Sequence, residues 1–452
     1  MITKKIIPLL FLSLGINQTF AQVTKSAESN SSFSLQQAID YAYKNSPNYL
    51  NAELEIQSSR YKRKEVLGVG LPQINSSVDL KDYIDIATSL LPGQFFGAPA
   101  GTFIPVKFGT KYNATAGFSA SQLIFSSDYI VGLKAAKEVI NLSTINVYRS
   151  KSELVSSVSK AYYNVVVNKE RIKLLDANII KLKKIFDDTK AFNQQGFAEL
   201  IDVERLEVQY NNLVVEKEKT DRLIGLSENL LKFQMGYKIT DSIILSDSLS
   251  IENNETSSLI SGKIDLNKRA DFQLLQSQQR LNHLDLKRQR LGYLPTVSAY
   301  GSYQFNAQRQ QFDFFDASQK WYKISLIGGT LNLNIFDGLQ RNNRIQQAKI
   351  AVLKGENNLK NIELAAELEA SVSEISYSNA YASLQTQKRN LTLAQHVFDV
   401  SQKKFEQGIG SNLEITTAQT SLKEAQTNYY NAIYDMIVAR IDYQKAVGTL
   451  VK

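Results

Sequence analysis

Residues 405–448 read as a turn followed by one long helix. Steps of three and four residues from Ile415 meet Ala418, Leu422, Ala425, Tyr429, Ala432, Met436, Ala439, Tyr443 and Ala446, the heptad spacing of a helical seam. Every second member is alanine, so large residues face small ones and a neighbouring helix can approach closely along its whole length. That suits a wall of helices better than the core of a globule.

The stretch occurs twice. Laying Gly408 on Gly196 brings Gly448 onto Gly236, Ile415 onto Val203 and Glu414 onto Asp202. In the earlier copy Val203, Leu206, Tyr210 and Leu213 hold the seam until Lys217 interrupts it. Both copies place a glycine after a polar run and a carboxylate six residues later.

The remaining pattern predicts the other elements in order. Residues 34–46 form a short helix capped by Ser34, and Pro47 restarts a helix to about residue 67. After Leu71-Pro72 the period changes: Ile74, Ser76, Val78 and Leu80 alternate with Gln73, Asn75, Ser77 and Asp79, as in a strand. A loop rich in Gly, Pro and Phe spans 91–109. A second strand follows, with Tyr112, Ala114, Ala116, Phe118 and Ala120 in one phase; residues 113–125 carry no charge. A strand apolar on one face and polar but uncharged on the other fits a position between lipid and a water-filled lumen. A proline-free helical run covers 127–192 and at 1.5 Å per residue would extend roughly 100 Å. Residues 237–268, rich in Ser, Asn and Asp, read as an irregular insert.

The pattern then repeats: a helix at 270–292, Leu294-Pro295, a strand alternating Val297, Ala299, Gly301, Tyr303 and Phe305, and a partner strand at 323–336. The partner changes phase, Ile324 and Leu326 against Leu331, Leu333 and Ile335, which predicts a bulge at Gly328-Gly329. A long helix covers 338–405. The expected organisation is a signal peptide at 1–21, a first repeat at 22–236 with a hairpin at about 72–125, the insert at 237–268, and a second repeat at 269–452 with a hairpin at about 295–336.

Composition narrows the function. Lys4 and Lys5, an apolar run from Ile6 to Ile16 and Thr19-Phe20-Ala21 have the form of a secretory leader. That run is too short to span a bilayer and no other apolar run reaches about 18 residues, so membrane contact is left to strands. The absence of cysteine excludes disulfides, thiolate metal sites, cysteine nucleophiles and an acylated N-terminal cysteine. The net charge of +8 is spread among acidic residues on helical patterns, so solvated helix faces are expected and nucleic acid is not. His283 and His396 lie in helical patterns without a second ligand type nearby. Gly408-Ile409-Gly410 is a lone GxG with no strand before it. No enzyme and no metal or other cofactor is expected.

A leader, two helix–hairpin–helix halves, leucine-proline before each hairpin, IFDG at residues 335–338 and a glycine turn before the last helix together resemble the TolC family of outer-membrane export channels. The resemblance covers essentially the whole chain after the leader. It implies a mixed α and β membrane protein of two tandem repeats, each of long antiparallel helices plus a β-hairpin. It further implies a homotrimer that shares a 12-stranded outer-membrane barrel continued by a periplasmic α-helical barrel. Four strands cannot close a barrel and eight give an interior filled by side chains, so a conducting pore independently calls for at least three chains. The lack of an N-terminal cysteine points to the unacylated members. The implied function is a passive exit duct for efflux or type I secretion. Its partners would be a periplasmic adaptor (membrane fusion protein), an inner-membrane RND or ABC transporter and outer-membrane lipid. A secreted trimeric coiled-coil structural or adhesive protein is the alternative.

The family places its periplasmic gate after the repeated turn, which makes Asp202, Glu414, Thr417, Gly196, Gly408 and Gly410 the gate candidates. Residue by residue, Glu414 matches an aspartate at the family's constriction. Thr417 stands where a second aspartate would be, and Gly410 where an arginine latch would be. Asp202 and Glu414 can equally be first-turn carboxylates favoured by the helix dipole. Phe118, Tyr303, Phe305, Trp321 and Tyr322 are candidates for the membrane-facing surface and its aromatic belt, as are Phe95, Phe96, Phe103, Phe108, Phe312, Phe314 and Phe315 at loops and strand ends.

Overall fold

The computed structural model describes residues 32–249 and 264–451. The leader expected at 1–21 and the middle of the insert lie outside the described residues. The fold mixes long helices with one principal sheet: β1 (Ser32–Phe33), α1 (Leu35–Asn45), α2 (Pro47–Val69), β2 (Gln73–Asp82), β3 (Thr88–Pro92), β4 (Phe103–Lys107), β5 (Tyr112–Phe125), α3 (Ser127–Gln194), α4 (Leu200–Met235), β6 (Ile244–Leu245), α5 (Ala270–Leu291), β7 (Thr296–Arg309), β8 (Tyr322–Asn332), α6 (Gln340–Glu406) and α7 (Asn412–Ala446).

Ser34 caps α1 where the sequence places a cap, and serines cap α3 and α7 as well. Ser34 closes a capping box with Gln37, Ser126 accepts from the Tyr129 N–H, and Ser411 accepts from the Glu414 N–H. α3, of 68 residues, and α6, of 67, are each about 100 Å long. Each is flanked by two shorter helices: α2 and α4 pack along α3, and α5 and α7 along α6. α3 also packs on α5 and α7, joining the two groups. The α7 seam is buried at Ile415, Ala418, Leu422, Ala425, Ala432, Met436, Tyr443 and Ala446, and is widened by Ile433, Ile437 and Ile441. Among the described residues, no helix is long and apolar enough to cross a membrane.

Both hairpins feed one antiparallel sheet in the order β2-β5-β7-β8, which leaves β2 and β8 as open edges. Paired residues share a face. Val78, Ala116 and Phe305 stand together, as do Ile74, Ala120, Gly301 and Ile327, and Phe118 pairs Tyr303. The opposite face carries Ser77, Gly117 and Gln304, then Ser119 and Ser302; on β8 the pattern is mixed, with Lys323 and Ser325 beside Phe305 and Tyr303 and with Ile324 and Leu326 beside Gln304 and Ser302.

Four sequence expectations need correction. β7 and β8 stay in continuous register from Thr296↔Asn332 to Asn306↔Tyr322, so there is no bulge at Gly328-Gly329. The glycine has another cause: a Cβ at Gly328 would lie 2.7 Å from the Tyr300 ring, which lies across that position. The sheet's irregularity falls instead between Leu123 and Phe125 on β5. β8 stops at Asn332, short of residue 336. The loop at 91–109 holds strand: β3 and β4 form a separate two-stranded sheet, Thr88↔Lys107 to Pro92↔Phe103. The insert is not wholly irregular, since β6 pairs in parallel with β1, Ser32↔Ile244 and Phe33↔Leu245. There Phe33 joins Tyr41, Tyr237 and the buried Tyr162, whose hydroxyl donates to the Phe33 carbonyl at 2.9 Å.

Candidate functional site

The two repeated turns meet at one end of the helices. Each long helix ends on a left-handed glycine, Gly196 at φ 81° and Gly408 at φ 75°. Their N–H groups donate to Asn193 O at 2.9 Å and Phe405 O at 3.0 Å, capping the helices as glycine does best. Gly410 closes the second turn with an N–H bond to Lys404 O of 3.0 Å. Behind the turns the ends of α3, α4, α6 and α7 share one core, in which Phe186, Leu206, Phe398, Ile415 and Leu422 are central.

The turns are also tied by polar groups. The buried Asn412 donates from Nδ2 to the Asp202 carbonyl at 2.9 Å, and Gln209 Nε2 donates to the Thr416 carbonyl at 3.3 Å. Asp202 and Glu414 sit in the first turns of α4 and α7, where the helix dipole favours them. Neither carboxylate is alone. Arg205 Nη1 lies 3.5 Å from Asp202, while Glu414 Oε1 accepts from Lys404 Nζ at 3.1 Å and from Ser401 Oγ at 3.4 Å. Thr417 turns its hydroxyl back to the Leu413 carbonyl at 2.7 Å. The two glycine turns and their carboxylates are therefore brought together. The cation beside each carboxylate, and the Asn412 tether, escape a reading by homologous position. Lys404 and Glu414 lie ten residues apart across a turn, a spacing with no helical signature.

At the other end, the surface candidates divide. Phe118, Tyr303 and Phe305 share one sheet face, and the Tyr303 and Phe305 rings meet edge to face at 5.3 Å. Tyr322 pairs Asn306 and so belongs to the polar face, contrary to its grouping with Phe118. Trp321 precedes β8 and packs on Phe314 at 6.1 Å, within a cluster that includes Tyr112 and Phe312. The apolar face is uncovered in the single chain: Val78 is 79% exposed and Ile327 94% exposed. A largely apolar sheet face of this kind needs a partner or a membrane.

Comparison with known proteins agrees with this architecture. The family described as "Outer membrane efflux protein" matches residues 266–449. The outer membrane protein TolC of Vibrio cholerae is 18% identical over 338 residues, 74% of this chain and 77% of that protein. TolC of Escherichia coli is 21% identical over 359 residues, 76% and 71% of the two chains. The crystal structure of the Campylobacter jejuni CmeC outer membrane channel superposes with a TM-score of 0.73 at 16% identity, covering 94% of this chain and 91% of that one. Over its second half the chain matches the outer membrane efflux protein family, and over about three quarters of its length it is similar to TolC proteins.

Proposed function

We propose that this protein is the outer-membrane exit duct of a tripartite efflux or type I secretion apparatus. It would be a passive channel from periplasm to exterior, opened by a periplasmic adaptor and an inner-membrane RND or ABC pump. The observation that carries the reading is one object: a four-stranded sheet, largely apolar on one face across β2, β5 and β7 and open at both edges, set on helices about 100 Å long. Every neighbouring pair in the sheet is antiparallel, so β2 and β8 run in opposite directions. β8 of one copy can then pair antiparallel with β2 of the next around a ring. Three copies give twelve strands, enough for a lumen. The two halves are read as a duplicated unit, 22–236 and 269–452, whose helices form the periplasmic tunnel. The paired turns with Asp202 and Glu414 form its periplasmic mouth. The duct performs no chemistry; the pump supplies the energy.

Two arginine substitutions test the reading. Ala116→Arg, on the face of Phe305, should cost about 2 to 4 kcal/mol near the bilayer midplane, whereas Thr115→Arg on the polar face should be tolerated. The measurement is the heat-modifiable oligomer in unboiled outer-membrane fractions. Equal assembly of both variants, or no such oligomer in the parent, would favour a secreted coiled-coil protein instead.

A further inference from the structure

We infer that the β3–β4 hairpins of neighbouring copies of this chain pack against one another over the outer mouth of the barrel. The inference rests on the three-chain barrel proposed above. Residues 86–106 contain no charged side chain. Both faces of the hairpin are apolar: Leu90 pairs Pro105 and Pro92 pairs Phe103 on one, while Leu91 pairs Ile104 on the other. Among the described residues β3 and β4 pair only with each other, and Phe95 at the tip is 81% exposed. A lone two-stranded hairpin is marginal in water, so this one needs a covering surface.

Its position argues for a second copy over lipid. Asp82 and Asp85 on the outgoing stalk and Lys111 on the returning one, with Lys107 at the base of β4, stand in sequence between the apolar part of the hairpin and the sheet. To enter hydrocarbon the hairpin would have to fold back past those charges. Three uncharged copies, by contrast, meet without repulsion. The reach suffices: strands of five residues extend roughly 16 Å, while twelve strands at a tilt of about 40° enclose a radius of roughly 12 Å. Phe95 and Phe96 can therefore arrive at the threefold axis. The result is an apolar constriction that resists wetting, at the opposite end of the duct from the paired turns.

The chain has no cysteine, so a single introduced thiol cannot form a disulfide within one chain, and a linked product of twice the chain's mass reports a bond between copies. Full-length Phe96→Cys and, separately, Phe95→Cys are oxidised in native outer membranes and run without reductant. Disulfide-linked dimer should reach up to roughly two thirds of the chain, since three thiols at one axis make one bond. Ile335→Cys, 92% exposed beyond the other end of β8, should give none. Replacing residues 88–107 by a short Gly-Ser turn should raise single-channel conductance severalfold. Full alkylation of both tip thiols by a bulky water-soluble maleimide, in samples whose trimer is intact, would overturn the inference. Thiols that are neither linked nor alkylated would overturn it too, since lipid then covers them. Loss of the trimer in the parent protein would instead overturn the barrel itself, and the hairpin contact with it.

Discussion

α4 and α7 begin from the same turn and fill the groove of their long partners in opposite ways. Counted from the turn glycines, Leu206, Leu213 and Thr220 of α4 stand where α7 has Ala418, Ala425 and Ala432, and all six are buried. In the alternate layer α4 has Tyr210 and Lys217 where α7 has Leu422 and Tyr429. Tyr210 stacks on Phe186 with centroids 6.4 Å apart, and Lys217 pairs with Asp176 at 2.6 Å. That hydrogen bond with Asp176 is the main reason the Lys217 ammonium titrates above its ordinary range. Two more pairs join α3 to α4, Arg171–Glu216 at 2.7 Å and Lys169–Glu228 at 2.8 Å. Between α6 and α7, Lys404 pairs with Glu414 at the turn. Bulk and charge thus lock α4 against α3 in one register. α7 lies against α6 with alanines that permit close approach, and its own ring stack, Tyr443 on Tyr377 with centroids 6.1 Å apart, sits near its far end.

The comparison is broken most strongly by emptying the α4 seam. Leu213→Ala should leave a cavity and cost about 2 to 4 kcal/mol, read as a lower melting temperature of the assembled protein. Filling the α7 seam tests the other half. Ala425→Leu or Ala432→Leu should overpack and cost about 1 to 3 kcal/mol. If both leucine variants melt like the parent, α7 has room at those positions and the close approach is wrong.

Much of this contrast was legible beforehand, because a seam is a local periodicity. The α7 list from Ile415 to Ala446 needs only one helix, and Ser34 caps α1 where a cap was readable. What escaped notice depends on pairings between distant residues. β1 and β6 are two residues each and carry no period, so their parallel ladder has no sequence signal. β3 and β4 contain Pro92 and Pro105, which argue against strands unless they lie in an isolated ribbon with free edges. Gly328-Gly329 resembled a bulge because the demand on Gly328 comes from Tyr300 on the adjacent strand. At the mouth, Gly196 and Gly408 announced their turns. Lys404 gave no hint that it faces Glu414.

A smaller effect is expected from the α3–α4 ion pairs. Glu216→Gln leaves Arg171, whose side chain is only 20% exposed, without its partner. The cost should be about 1 to 2 kcal/mol, between the values for exposed and buried pairs. A melting temperature insensitive both to this change and to added salt would mean that the leucines alone set the register.

The far end of α7 has a lock of its own. Arg269 donates to the Ala446 carbonyl at 2.8 Å and pairs with Asp271 at 2.7 Å and Glu369 at 2.5 Å. Burial works to raise the Asp271 carboxyl, but the Arg269 hydrogen bond and charge outweigh it and hold it below the usual range. A carboxylate lowered in the folded state adds stability above its unfolded pKa of about 3.9, and that stability is lost as pH falls through the lower folded value. Acid melts between pH 5 and 3 should therefore steepen in the parent relative to Asp271→Asn. Parallel curves would remove this lock from the comparison.

The smallest change concerns charge at the mouth, where the two turns differ in their cations. In a three-chain assembly, three copies of Glu414 would stand near one axis, but each is matched by Lys404 at 3.1 Å. Asp202 has only the more distant Arg205, at 3.5 Å. Paired opposite charges largely cancel in the field a passing ion meets, so the acidic ring alone overstates the selectivity. Lys404→Gln should unmask Glu414 and move the pore toward cations. Glu414→Gln should free Lys404 and move it toward anions, and Asp202→Asn should shift it in the same direction. Single-channel reversal potentials in a salt gradient read all three, and the shifts should shrink as ionic strength rises. If Lys404→Gln and Glu414→Gln displace the reversal potential in the same direction, or neither displaces it, the pair does not line the pore. Glu414 then serves only as a first-turn carboxylate of α7.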